Sequence, residues 1–442
     1  KRQFMRGAGQ GAGVSSLSGN AGSLALKAET SSTTESSSGK PAHAGLKATI
    51  LQVFDGADND DNAFQAGVLL APPDTDGDVG PNHYVQMINV VTTIYDKEGN
   101  VVLGPFPNNA IWAGLGGLCE TTNRGDPIVL YDEETDRWFL SQFAWDSAFT
   151  QFALCLAISV TEDPTGAYYQ HEFDFTGLGL PDYPKFGFAT DTIAVTTNLF
   201  VPFQGAAAGA IDKAEAFSDQ QTTMVLFLLG TNEFGLLPGD NDGPAFDDFP
   251  PAFATNNGGG NTIDFWEIDP DFVLPENSTI AEVARVAVAP IDSDLCPAPR
   301  QRCIDQPGSG TGIGNDYITF LEAIPDRLMH RLQLRDFGNG QKRALATSTV
   351  DADGSGTAGL RWYEFRDNGQ GWKLHQENTF SPDGDHRWMG SIAMNRRGQT
   401  CLGYSISSQA THPSIGFAGR TGRSSVFNVA EQVAFDGNVD GF

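Results

Sequence analysis

"DGDVGPNHYVQMINVVTTIYDKEGNVVLG", residues Asp76–Gly104, decides the fold. A polar turn of Asp, Gly and Pro leads into an apolar run. A tight turn follows, and a second apolar run returns. "DKEGN" has the length of a loop that joins antiparallel strands. The unit recurs as "NRGDPIVLYDEETDRWFLSQFAW" (123–145) and as "LPDYPKFGFATDTIAVTTNLF" (180–200). "PGDNDGPAF" (238–246) opens a fourth copy, with "TIDFWEID" (262–269) and "RVAVAPI" (285–291) as its outer strands. "IPDRLMHRLQLRDFGNGQKRALATSTV" (324–350) is the fifth, followed by "GLRWYEF" and "WKLHQE". "SPDGDHRWMGSIAMNRRGQTCLGYSIS" (381–407) is the sixth.

The copies start roughly 45 to 85 residues apart, the spacing of four-stranded propeller blades with insertions. The expected fold is all-β: a single β-propeller of six or seven four-stranded blades over residues 46–442. "TILQVF" (49–54) or the C-terminal strand would close the ring. Residues 1–45 form a low-complexity Gly/Ser-rich tail with little to bury, expected to be flexible unless a partner surface holds it. "AAAGAIDKAEAFSDQQ" (206–221) reads as one short helical insertion. "RLMHRLQL" (327–334) fits a helix by period, but its place in the repeat makes it a strand.

Composition agrees. Within 442 residues, Gly 51, Pro 24 and Phe 30 give many turns and many aromatic wedges. A formal net charge of −28 with only 27 Lys+Arg argues against nucleic acid, whose phosphates demand cations. No run approaches the 18 or so apolar residues of a membrane helix. The start, "KRQFMRGAGQ", lacks an apolar signal core, as a processed secreted product would. Of the five cysteines, Cys296 and Cys303 are expected to close a surface loop, and Cys119 to pair with Cys155. Cys401 is left over as a buried thiol. This usage points to an oxidising, extracellular or cell-surface setting.

Taken together, "DGDVGPNHYVQMIN", "TTNRGDPIVLYD", "DPTGAYY", "DYPKFG", "DRLMHRLQ", "GLRWYEF" and "DHRWMGSIAM…GYSISS" resemble a family of bacterial secreted proteins of largely uncharacterised function, over roughly residues 70–420. The resemblance implies a sialidase-like β-propeller. It transfers no catalytic residue, and propellers host many functions.

In a propeller the first strand of each blade lines the central channel. Each start carries an aspartate: Asp78, Asp126, Asp182, Asp242, Asp326 and Asp385. One reading makes them staples that accept backbone N–H groups of their own turn or of the next blade. The other gathers them on a polar ligand, with Asp126, Asp385, His386, Arg387 and His83 as binding residues. Arg124, Arg327 and Arg387 stand at equivalent starts and would form an acidic-sugar site with Tyr183 as nucleophile. "DTDGD", with Asp74, Asp76 and Asp78, is the best candidate for Ca²⁺, ahead of "DGADNDDN" (55–62) and "DADGSG" (351–356), although it lacks a bidentate Glu. The recurring tryptophans read as core wedges, one or two of which could stack a sugar at the mouth.

Two functions remain open on these residues. One is a calcium-stabilised binding or scaffolding component of an extracellular assembly, with protein or polysaccharide partners and a tail that docks. The other is a glycan-active enzyme, a sialidase-like hydrolase or a polysaccharide lyase, working at the channel mouth. An enzyme needs the three arginines exposed and convergent; a scaffold needs them paired with aspartate.

Overall fold

The computed structural model describes residues 2–10, 48–67, 69–243, 250–256, 260–295, 302–309, 320–338, 340–421 and 424–437. Strand β1 (Arg2–Gln10) is followed by runs of sequence-consecutive antiparallel strands. The first run is β2 (Asp76–Val79), β3 (His83–Ile88), β4 (Val91–Asp96) and β5 (Val101–Pro107). The second is β6 (Ile128–Asp132), β7 (Arg137–Trp145), β8 (Phe152–Ser159) and β9 (Tyr168–Asp174). The third is β10 (Leu180–Phe188), β11 (Thr192–Phe200), β12 (Gly205–Asp212) and β13 (Thr222–Gly230). Next come β14 (Leu237–Asn241), β15 (Ala252–Thr255), β16 (Gly260–Asp269) and β17 (Thr279–Ile291). A small pair, β18 (Arg302–Ile304) and β19 (Leu321–Glu322), interrupts the pattern. It resumes with β20 (Leu328–Asp336), β21 (Lys342–Asp351), β22 (Ala358–Asp367) and β23 (Lys373–Phe380). The last run is β24 (His386–Met394), β25 (Thr400–Ser407), β26 (Ser414–Arg420) and β27 (Val429–Phe435).

The first and last runs are separate four-stranded sheets. The second and third join through β1 into nine strands, ordered β10-β11-β12-β13-β1-β9-β8-β7-β6. The fourth and fifth join because β14 pairs with β20 in parallel, Gly239 opposite Leu332. The result is a propeller-like arrangement of small sheets.

Face-to-face packing holds it together. Val85, Met87 and Ile94 of the first run meet Val129, Leu140 and Ala153 of the second. Leu154, Leu156 and Phe173 of the second meet Phe186, Val195 and Leu226 of the third. Leu345, Leu360 and Trp362 of the fifth meet Ile392 and Leu402 of the sixth. Each middle sheet is buried on both faces, so its strands read as continuous apolar runs; all of β8, FALCLAIS, is buried. Truncating one such side chain, Phe186→Ala for instance, should cost about 3–5 kcal/mol.

Several local expectations change. The tail begins with a strand: β1 pairs antiparallel with β13 (Phe4 opposite Val225) and with β9 (Gly9 opposite His171), covering two sheet edges. The expected helical insertion begins as strand β12; only Lys213–Ala216 is helical. Small residues suit β12 because a Cβ on Gly209 would meet the Val225 carbonyl at 2.4 Å. "RLMHRLQL" is a strand, within β20. "TILQVF" forms no strand. Cys119 and Cys155 are bonded. Cys303 is also disulfide-bonded, while Cys296 lies outside the described residues. Cys401 is free but exposed, not buried, because its β25 position faces solvent. Of the tryptophans read as wedges, Trp112, Trp138, Trp362, Trp372 and Trp388 are buried. Among the described residues no helix is long and apolar enough to cross a membrane.

Candidate active site at the channel mouth

The first strands β2, β6, β10, β14, β20 and β24 face one another around the centre. Asp74 precedes β2, Asp126 precedes β6, and Asp182 lies near the start of β10. The three meet at one end of the channel. Asp126 shares side-chain hydrogen bonds with both Asp74 and Asp182. The Tyr183 N–H also donates to Asp126.

Backbone geometry aims these groups. Asp74 (φ 43°), Asp126 (φ 46°) and Tyr183 (φ 54°) all take left-handed conformations that cost energy outside glycine. Gly125 lets the chain pass close to Asn89, whose Oδ1 would lie 2.4 Å from a Cβ there. Asn89 in turn bonds Asp74. A register shift in β10 between Asp182 and Lys185 turns both side chains toward the centre.

Lys185 is buried beneath the trio, its Nζ 3.0 Å from the Tyr183 ring centroid. Burial drags its pKa down to about 8, against the pull of Asp126, Asp76 and Asp182. Burial and the like charges of Asp74 and Asp182 push Asp126 up to about 8. Burial also raises Asp74 and Asp182. At neutral pH Asp126 therefore keeps its proton while it shares hydrogen bonds with Asp74 and Asp182. Burial pushes the Tyr183 phenol up as well.

Deeper in the channel the charges pair off. Burial raises Asp76 to about 7, and it accepts N–H bonds from Gly77 and Val129. Asp78 Oδ2 accepts the Tyr131 N–H at 2.9 Å, stapling β2 to β6. Asp240 Oδ1 accepts the Phe188 N–H at 2.9 Å, stapling β14 to β10. Arg331 is clamped between Asp240 and Asp242. His330 sits nearby, depressed to about 3 by burial and then by Lys185 and Arg331. Its Nε2 has no hydrogen-bond partner among the described residues.

The six aspartates chosen from sequence therefore divide. Asp126 and Asp182 are in the mouth. Asp78 and Asp242 lie at the deeper end beside Arg331, so the first sheet supplies Asp74 to the mouth instead. Residues four positions apart along an extended strand are separated by about 13 Å, and strand polarity alone does not say which end is the mouth. Asp326 pairs with Arg327 at 2.8 Å. Asp385 accepts the Thr411 hydroxyl.

The arginines do not converge. Arg124 lies over Trp145 and donates to its carbonyl. Arg327, besides bonding Asp326, stacks over Tyr183 and Phe234. Arg387 is 1% exposed and bonds Asp383 and Glu431 on both nitrogens. His386 Nδ1 accepts the Ala358 N–H, and its Nε2 is 3.8 Å from Asp305. His83 is on β3 opposite Asp96, away from the inner strands. Tyr183 stands among the mouth carboxylates, and Arg327, already bonded to Asp326, is the arginine of the acidic-sugar set that lies near it. Sequence reading missed Asp74 and Lys185 as partners of Asp126; their signal was the pairing of "PPDTD" and "DYPK" at equivalent starts.

The carboxylates of the acidic loops carry structural hydrogen bonds. "DTDGD" runs into strand β2, and the carboxylates of Asp76 and Asp78 are spent on backbone N–H groups. Asp58 caps helix α1 (Asn59–Ala66) in a capping box. Asp351 and Asp353 accept the N–H groups of their own turn. Among the described residues no group of three or more His, Cys, Asp or Glu is placed to hold a metal.

No family model and no curated protein matches the chain. Solved structures are similar in fold. An alpha-L-arabinanase from Penicillium chrysogenum is 9% identical, covering 81% of this chain and 96% of that one, with TM-score 0.41. An ulvan lyase of a new polysaccharide lyase family is 12% identical, covering 80% of each chain, with TM-score 0.41. The subtype N11 neuraminidase-like protein of A/flat-faced bat/Peru/033/2010 (H18N11) is 10% identical, covering 79% of this chain and 72% of that one, with TM-score 0.33. The propeller-like arrangement of small sheets agrees with the β-propeller that the sequence resemblance implies.

Proposed function

We propose that this chain is a secreted six-bladed β-propeller that hydrolyses a neutral glycan at its channel mouth. The observation that carries the reading is the Asp74–Asp126–Asp182 trio: three carboxylates from three consecutive runs of strands, held close together without enough cations to pair them. Such clustering disfavours folding and is kept where a proton must be held at neutral pH. Asp126 is the general acid, protonating the leaving oxygen. Asp74 or Asp182, whichever is ionised, serves as base or nucleophile. Lys185 and Tyr183 set the charge balance beneath them. In the free chain the trio is hydrogen-bonded together. A sugar entering between them takes over those bonds and parts the carboxyls toward the about 5–9.5 Å that glycoside hydrolysis uses.

The mouth carries more carboxylate than cation, and Arg387 is fully engaged elsewhere, which favours neutral over acidic sugars. Six runs of four strands support the blade count, and the Gln432 side chain, bonded to the Ala48 carbonyl, brings the last sheet beside the segment that leads to the first. The Cys119–Cys155 bond supports an oxidising setting. A scaffolding role, the other reading of the sequence, has no comparable observation behind it.

Incubation with neutral and acidic polysaccharides, with products read by mass spectrometry, tests the reading. Release of neutral oligosaccharides by the native chain and none by Asp126→Asn supports it. Equal release by both removes Asp126 from the chemistry.

A further inference from the structure

The trio is flanked by two exposed aromatic tips. On one side, the β7–β8 hairpin carries Trp145 and Phe149. Phe143 N–H bonds the Gly125 carbonyl, and Arg124 bonds the Trp145 carbonyl, so this tip rises directly beside Asp126. Phe149 packs edge-on against Trp145 at 5.8 Å and is 42% exposed. On the other side, the β11–β12 hairpin carries Phe200, Val201 and Phe203. Asn198, two residues before Phe200, pairs with Asp182. Phe203 lies 5.3 Å from Phe200 and 6.0 Å from Phe234, and it too is 42% exposed.

Both tips are held out against local preference. Phe149 (φ 56°) and Val201 (φ 66°) are left-handed, the latter a β-branched residue for which this is a genuine outlier. Among the described residues they join Asp74, Asp126 and Tyr183 in that conformation, so strain gathers around the mouth. Each tip is backed by a cation: Arg124 lies over Trp145 and Arg327 over Phe234.

Resting on the hydrolase reading above, we infer that the mouth is the middle of a cleft, and that Phe149 and Phe203 are sugar-stacking positions on either side of the cleaved bond. An aromatic face takes the C–H face of a sugar ring, while carboxylates between the platforms take its hydroxyls. A protein partner would match one continuous apolar patch, but here carboxylates interrupt the rings. A pocket for a chain end has one blind side, whereas here one aromatic tip stands beside Asp126 and another beside Asp182. The substrate is a linear neutral polysaccharide, cut internally.

The test uses the full chain carrying Asp126→Asn, titrated calorimetrically with linear neutral oligosaccharides of graded length, cello-, xylo- and arabino- series. Affinity should rise with length. Adding Phe149→Ala or Phe203→Ala should weaken the longest ligand roughly fivefold to tenfold and the shortest little. In the active chain each change should shift the products released. Affinity independent of length and unmoved by either change overturns the cleft, even where Asp126→Asn still abolishes turnover. Uptake of uronate-containing chains alone overturns the neutral class. A native chain that neither binds nor cuts any polysaccharide removes both this inference and the hydrolase reading.

Discussion

The mouth trio and the Arg387 cluster begin from the same kind of sequence, an Asp-rich turn before an inner strand, and end as opposites. Around Arg387 every charge is answered. The guanidinium bonds Asp383 and Glu431, and the Tyr404 hydroxyl donates to Glu431 at 2.6 Å. Pairing holds Asp383 below its ordinary value, the guanidinium being the first cause. Around Asp126 like charges face each other, and burial holds their protons on. A closed ion cluster fixes a fold; a crowded set of acids stores a proton.

Several experiments would break or sharpen that contrast. Asp126→Asn should reduce turnover by at least about 100-fold, the usual contribution of a general acid, with the fold intact by circular dichroism. A smaller loss would make Asp126 structural as well. Arg387→Ala should cost up to about 3 kcal/mol in denaturant unfolding, since it removes the charged hydrogen bonds to the partly exposed Asp383 and Glu431. Where the variant remains folded, its pH–rate profile should match the parent's. Losing the Cys119–Cys155 bond by Cys119→Ala should cost about 2–4 kcal/mol.

The pH dependence has a definite sign. Asp126 has a folded-state value of about 8, above its unfolded value of 3.8. Its contribution to stability is therefore fully present below about pH 4 and is lost as pH rises through about 8. Asp126→Asn should raise the melting temperature more at pH 8 than at pH 5; an equal gain at both would contradict the raised value. Activity should fall as pH climbs past about 8, where the acid loses its proton. The smallest effect expected is from chelation: EDTA should leave the melting temperature unchanged, and a clear drop would restore calcium to the acidic turns.

Much of the fold was legible because alternation, turn chemistry and apolar runs are local. The recurring hairpins, "RLMHRLQL" as a strand and the Cys119–Cys155 pair are all visible in linear order. The site was legible only in part. Asp126, Asp182 and Tyr183 were named, but Asp78 was taken for the mouth residue in place of Asp74. A period of two residues fixes a face and leaves the end of the channel open.

By itself, the sequence determined that this is an all-β protein of repeated antiparallel hairpins, strongly acidic in composition. Those properties follow from residue types and their short-range spacing. Only the tertiary structure decided that Arg387 is spent within its own sheet, that Arg2–Gln10 covers two sheet edges, and that Asp74, Asp126 and Asp182 share protons. Each depends on groups tens to hundreds of residues apart, whose charges interact only when packing removes the water between them.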